Sequence, residues 1–172
     1  MVSVRAPQVY RTGTGLSLQI RAATEYDERE IIRFFDKVSD EDRRFRFQCE
    51  VARLDHDQAR SLVGVDHHRT ESFLAFEMTA GELVATGQLM CDDDFDTAEV
   101  AVSVRADFKG QGIGWLMLDI LTAEAERRGV RKIVSVEDRT NSGAIDLERE
   151  KGFVAVAMVD DPTRVLLSKE LV

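Results

Sequence analysis

Residues 99–117 read Glu-Val-Ala-Val-Ser-Val-Arg-Ala-Asp-Phe-Lys-Gly-Gln-Gly-Ile-Gly-Trp-Leu-Met. Val100, Val102 and Val104 alternate with Glu99, Ala101, Ser103 and Arg105, the period-two pattern of a half-buried strand. Gly110, Gly112 and Gly114 follow, and Ile113, Leu116, Met117, Ile120 and Leu121 then recur at helical spacing. The stretch predicts a strand, a tight glycine turn and the start of a helix. Such a junction leaves the first backbone N–H groups of the helix without intrahelical partners. Glycines let a ligand approach that backbone closely, which suits a phosphate or pyrophosphate.

Outward from this unit, the chain alternates between the two periods. Leu16 to Arg21 predicts a first strand, and Thr24 caps a helix whose stripe is Ile31, Ile32, Phe34, Phe35 and Val38. Ser39 with Asp42 opens a short helix through Phe47, and Asp55 with Gln58 opens another that stops at Gly64. Phe73 to Phe76 and Leu83 to Met90 form a hairpin about Gly81. After the glycine turn the helix runs to Arg128, with Gly129 as its stop. Ile133, Val134 and Val136 make the next strand, Asn141 opens a helix closed by Gly152, and Phe153 to Val159 and Val165 to Ser168 make a final strand pair. Residues 1–15 show no period and are expected as an N-terminal arm. Residues 16–172 are expected as one α/β domain.

Composition narrows the class. A chain of 172 residues can bury a core without staples. A net charge of −9 argues against nucleic acid and anionic membranes as partners. No apolar run reaches membrane-span length, and Met-Val-Ser-Val-Arg-Ala-Pro has no signal-peptide core. Cys49 and Cys91 show no metal or redox spacing and are expected as free, buried thiols in a cytoplasmic protein. The aspartates at 92–94 and 96 lack the glycine and distal glutamate of a calcium loop, and no metal is expected. Arg43, Arg44 and Arg46 are expected on a helix surface, and Trp115 in core or rim packing.

Two nucleotide motifs fail on the residues. A Walker loop ends in Gly-Lys-Ser/Thr, whereas this turn ends Gly-Ile-Gly-Trp. A dinucleotide fingerprint needs Gly-x-Gly-x-x-Gly early in the chain, and both spacing and position differ here.

The run from Val102 to Leu118, together with Asn141 and the ending Glu150-Lys-Gly-Phe153, resembles the GNAT N-acetyltransferase superfamily. Its pyrophosphate loop has Gln or Arg, two residues, Gly, one residue, then Gly or Ala; Lys109, Gly112 and Gly114 stand at those places, with Lys109 a departure. Leu18 to Thr24, Arg43 to Phe47 and Leu54 to Leu62 are similar to the acetyltransferase domain of bacterial protein-lysine acetyltransferases. The resemblance implies a mixed, mostly antiparallel sheet of about six to seven strands flanked by helices. It implies acetyl-CoA as the acyl donor and an amine, with protein lysine leading, as the acceptor. Lys109, Gly110, Gln111, Gly112, Ile113, Gly114 and Trp115 would hold the pyrophosphate. The strand edge at Val102, Ser103 and Val104 would pair with pantetheine amides, and Asn141 would touch the pantetheine arm.

Glu99 stands where many members keep a glutamate base. Where many keep a tyrosine acid, four residues before the glycine of Gly152-Phe153, this chain has Glu148. The acid is therefore unassigned, with Ser142 as a candidate substitute. That departure supports a competing reading, an acyl-CoA-binding sensor or interaction module with little transfer. A small-molecule amine acceptor and a homodimer are also compatible with the sequence.

Overall fold

A computed structural model of the chain describes residues 6–171. In chain order these form β1 (Gln8–Arg11), β2 (Ser17–Ala22), a 3-10 turn (Glu25–Asp27), α1 (Glu28–Asp36), α2 (Asp40–Phe47) and α3 (His56–Val63). Then follow β3 (Thr70–Glu77), β4 (Leu83–Cys91), β5 (Thr97–Val104), a second 3-10 turn (Ala106–Phe108) and α4 (Ile113–Arg127). β6 (Lys132–Asp138), α5 (Ser142–Glu150), β7 (Val154–Ala157) and β8 (Arg164–Glu170) complete them.

The helices begin where side chains can satisfy their first N–H groups. Ser39 Oγ accepts from the Asp42 N–H at 3.1 Å to open α2, and Asp55 and Gln58 cap α3 reciprocally at 2.8 and 3.0 Å. Gly129, at φ +79°, ends the α4 segment in the left-handed conformation that suits glycine. The charged residues of α2 divide. Arg43 is buried, correcting its expected surface position, and its guanidinium donates to the carbonyls of Phe35 and Val38, each at 3.0 Å. It thereby adds a charged donor to carbonyls at and just beyond the C-terminal end of α1. Of the two thiols, Cys91 is buried as expected, whereas Cys49 is exposed just after α2.

The strands form one sheet in the order β1-β2-β3-β4-β5-β6-β8-β7, antiparallel throughout except for the β5/β6 pair. Eight strands exceed the expected six to seven, and the additional one is β1, within the stretch expected as an arm. Residues 1–5 of that stretch lie outside the described residues. β1 carries no alternation because Val9 and Tyr10 are adjacent; a tight reversal makes it a strand, with the Thr12 N–H donating to the Leu16 carbonyl at 2.9 Å.

Both faces of the sheet are covered. Ile113, Met117 and Leu121 of α4 pack with Phe73, Ala75, Val100 and Ile133 on one face. Phe34, Phe35 and Leu62 of α1 and α3 pack with Leu74 and Leu83 on the other. Central β3 must therefore be apolar on both sides, which is why Phe73 to Phe76 is a continuous apolar run rather than an alternation. Each such side chain, fully buried, contributes about 1.5–3 kcal/mol. No helix of the described residues is long and apolar enough to cross a membrane.

Gly87 on β4 sets how closely α4 can approach. A Cβ there would lie 2.9 Å from the Met117 methyl and 3.3 Å from Leu121. Gly87→Val should therefore lower stability by about 1–3 kcal/mol through overpacking, read as a lower urea midpoint at unchanged slope.

Candidate active site

β5 and β6 run side by side for only three residue pairs, Thr97↔Lys132, Ala98↔Ile133 and Glu99↔Val134. Beyond them β5 stays with β4, from Val100↔Leu89 to Val104↔Ala85, while β6 stays with β8, from Ser135↔Leu167 to Asp138↔Arg164. The two halves of the sheet part like a V whose apex is at Glu99 and Val134. A cleft of about 690 Å³ fills the opening, walled by β5, β6, α2, α5 and the glycine turn.

The turn sits at the open end. Gly110 and Gly112 have φ of +77° and +81°, and Gly112 caps α4 from the left-handed region. The first intrahelical bond of α4 runs from the Leu116 N–H to the Gly112 carbonyl at 3.1 Å, so the N–H groups of Ile113, Gly114 and Trp115 precede the helical ladder. Gly114 has a separate reason: a Cβ there would lie 3.1 Å from Leu147 of α5. Thr14 Oγ1 donates to the Gln111 carbonyl at 2.9 Å and ties the turn to the β1–β2 reversal. Trp115 is at the rim, with the Lys151 ammonium 3.7 Å from its ring centroid. Lys109 pairs with Asp42 of α2 across the mouth.

Glu99, Val102, Ser103, Val104, Lys109 and Asn141 all line the cleft, as do Gly110, Gly112, Ile113, Gly114 and Trp115. Gln111 and Ser142 do not. Gln111 contributes its carbonyl to Thr14, and Ser142 is exposed at the first position of α5. Asn141 caps α5 toward the Ala144 N–H and donates from Nδ2 to Glu137 at 3.1 Å.

Three further groups meet at the apex. Ser135 and Glu137 follow Ile133 on one face of β6 and line the cleft, as does Glu148 from α5. Ser135 Oγ lies 3.0 Å from Glu137 Oε1 and 2.9 Å from Glu148 Oε1. Glu148 Oε2 is buried without a hydrogen-bond partner. Burial, and then the charge of Glu137, push the Glu148 carboxyl up to about 8, and burial raises Glu137 as well. Across from them Arg46 of α2 also lines the cleft and donates to Gln88 Oε1 at 3.0 Å; burial lowers its pKa against the pull of Glu99 and Glu137. The period of two on β6 carried the signal for Ser135 and Glu137, two polar residues on the face of a core isoleucine.

Glu148 leaves a stability signature. A carboxyl raised from 4.5 to about 8 in the folded state favours folding below 4.5 and loses that contribution as pH rises toward 8. Glu148→Gln, which cannot ionise, should gain thermal stability relative to the parent between pH 5 and pH 8, at about 2–4 °C per kcal/mol. Calorimetry at both pH values checks it.

Comparison with known proteins supplies the class. Residues 25–153 match the acetyltransferase (GNAT) family. An acetyltransferase of Pseudomonas aeruginosa is 28% identical over 156 residues, covering 88% of this chain and 83% of that protein. The GNAT domain of PAT from S. lividans shares the fold with a TM-score of 0.88 at 22% identity, covering 96% of this chain and 97% of the other. Spermidine N-acetyltransferase from Vibrio cholerae, solved with CoA and spermine, has a TM-score of 0.74 at 17% identity, covering 90% and 95%. The eight-stranded, mostly antiparallel sheet with its single parted pair is the GNAT fold, and the chain belongs to the GNAT acetyltransferase family.

Proposed function

We propose that this protein moves the acetyl group of acetyl-CoA to a primary amine, with a protein lysine as the leading acceptor and Glu99 as the base. The observation that carries the reading is the parted β5/β6 pair, which joins a glycine cradle at one end to a carboxylate at the other. The residues suit the donor. Three N–H groups ahead of the α4 ladder, with glycines in the left-handed region beside them, fit a pyrophosphate. Helix-end attraction for an anion contributes only about 0.3–2 kcal/mol, so direct hydrogen bonds from those groups supply the rest. The β5 edge at Val102 to Val104 has no strand partner on the β6 side, which suits the amides of pantetheine.

The donor brings a thioester carbonyl as electrophile; the protein must make the amine a nucleophile. A free lysine amine has a pKa of about 10.4, so deprotonating it at pH 7 costs roughly 4–5 kcal/mol. Glu99, exposed at the apex of the V, can take that proton directly or through water. A backbone N–H on β5 near Val102 would stabilise the oxyanion of the tetrahedral intermediate. Glu99 and Glu137 in the cleft favour a cationic acceptor, Asp42 at the mouth being already paired with Lys109.

The deciding assay follows release of free CoA thiol with lysine peptides, purified proteins and small polyamines as acceptors. Transfer to a lysine peptide is expected; binding of acetyl-CoA with no thiol release on any acceptor would instead make the protein an acyl-CoA-binding module. Glu99→Gln should lower turnover by about 10²–10⁴ while acetyl-CoA affinity stays near the parent value by calorimetry. Gly112→Val should do the reverse. By straining a left-handed position in the cradle it should weaken acetyl-CoA about 10-fold or more, roughly the loss of one or two hydrogen bonds, with the far end of the cleft unchanged.

A further inference from the structure

The contacts of Ser135 do not balance if both neighbouring carboxyls are ionised. Its Oγ is within hydrogen-bond distance of Glu137 Oε1 and of Glu148 Oε1, 3.0 and 2.9 Å. A serine hydroxyl has one proton to donate, and an ionised carboxylate has none. Both contacts are hydrogen bonds only when one carboxyl is protonated and donates to Oγ. The surroundings say which. Glu137 accepts a second bond from Asn141 Nδ2, at 3.1 Å, and feels the charge of Arg46. Glu148 has neither: its Oε2 is buried with no N–H or O–H donor in reach, and its remaining close contact is with the Glu137 carboxyl itself. An orphaned oxygen is far cheaper on a neutral acid than on a carboxylate. The chain of contacts therefore runs from Glu148 through Ser135 to an ionised Glu137.

The place of this group matters as much as its charge. Ser135 is the first β6 residue beyond the last β5/β6 pair, so it stands at the apex of the V, where a thioester lying along the β5 edge would end. We infer that Ser135, Glu137 and Glu148 hold one proton between them, and that Glu148 delivers it to the sulfur of the departing CoA. The inference rests on the acetyl-transfer reading above.

The balance is as follows. The acceptor ammonium loses one proton to Glu99, and the amine nitrogen bonds to the acetyl carbon. The C–S bond breaks with its electron pair going to sulfur, which takes the proton held by Glu148 to become the CoA thiol. The amide nitrogen sheds its second proton, and that proton restores the acid group. One proton in total leaves to solvent. Glu148 lines the cleft and shares its proton with the neighbouring Glu137 and Ser135, and Ser135 can turn its hydroxyl to support Oε1 as the proton leaves. Glu148 is then a catalytic residue, and Ser135 and Glu137 are positioning residues that keep it protonated. The charged groups sharing the site are Glu137 on β6, Glu99 on β5 and Arg46 on α2.

The test combines a pH profile of turnover with infrared spectroscopy of the unliganded protein. The parent should lose turnover above about pH 8, where the acid ionises. Glu148→Gln keeps the shape and a donor toward Ser135; it should lower turnover by roughly 10–100-fold, because a thiolate of pKa near 8.5 needs only modest help. It should also abolish the alkaline limb while leaving acetyl-CoA affinity unchanged. Glu137→Gln removes the neighbouring charge and should move the limb to lower pH. A structural role for the carboxyl would not produce that shift. At pH 7 the parent should show the carbonyl band of a protonated carboxylic acid, and Glu148→Gln should not. Parent-like turnover with an intact alkaline limb in Glu148→Gln overturns the inference, as does the absence of the acid band from the parent. If the parent releases no CoA with any amine, the acetyl-transfer reading is what fails, and the acid band still reports on the shared proton.

Discussion

A strand in the middle of a sheet that gives up its partner leaves a row of backbone donors and acceptors unpaired, and buried backbone groups are almost never left so. β5 does this from Val100 to Val104, after only three pairs with β6. The two strands cannot rejoin, because each is committed on its other side, β5 to β4 and β6 to β8, through the whole parted length. The opening is thus a property of the sheet and not of a mobile loop. Around it the core is conventional: α4 covers one face, and α1 with α3 covers the other. The anchoring is firm at the far end of β5, where buried Arg105 pairs with Glu82 at 2.8 Å and with Asp107 at 2.7 Å. These contacts tie the start of β4 to the approach to the glycine turn. The cleft is held open by commitments elsewhere, and its free strand edge is what an amide-bearing ligand can complete.

The apex then separates two kinds of carboxyl by environment alone. Glu99 is exposed to the cleft and open to solvent. Glu148 is buried against another carboxyl, and its ionised form is penalised first by desolvation and then by Glu137. Chemistry that must give up a proton near neutral pH is served by a carboxyl raised in this way. Arg46 sits near enough to influence both Glu99 and Glu137, so the electrostatics of the two groups are joined through one partly buried cation.

The strand–turn–helix unit was legible because each of its parts obeys a local rule. Alternation predicts β5, the spacing of Gly110, Gly112 and Gly114 predicts the turn, and a 3.6-residue stripe predicts α4. The caps at Ser39, Asp55 and Asn141 were legible for the same reason, since a side chain satisfying a backbone two or three residues on is local chemistry. What could not be read was whatever depends on long-range pairing. Arg43 looks like any charged helix residue until α1 and the Val51 segment present carbonyls to it. Glu148 looked only like a missing tyrosine. Its significance needs β6, thirteen residues earlier in the chain, to bring Ser135 to within 2.9 Å.

The largest gap between sequence and structure, the first strand, also bears on the site. β1 and β2 form the edge of the sheet farthest from β7, yet the reversal between them reaches the glycine turn. That reversal is tightly made. The Leu16 N–H donates to Thr12 Oγ1 at 3.1 Å, Thr12 and Thr14 hydroxyls lie 2.9 Å apart, and Gly15 takes a φ of +90°. Thr14 then holds the Gln111 carbonyl, and the Thr12 Cβ lies 3.6 Å from where a side chain at Gly112 would begin. A glycine turn by itself is conformationally loose, since glycine loses more freedom on ordering than any other residue. Fixing one carbonyl of the turn from outside orders part of that loop before a ligand arrives, so less of the binding free energy is spent on ordering it. On this argument the short edge strand that sequence periodicity could not reveal is not an appendage. It is the external support that orders part of an otherwise flexible Gly-x-Gly-x-Gly segment.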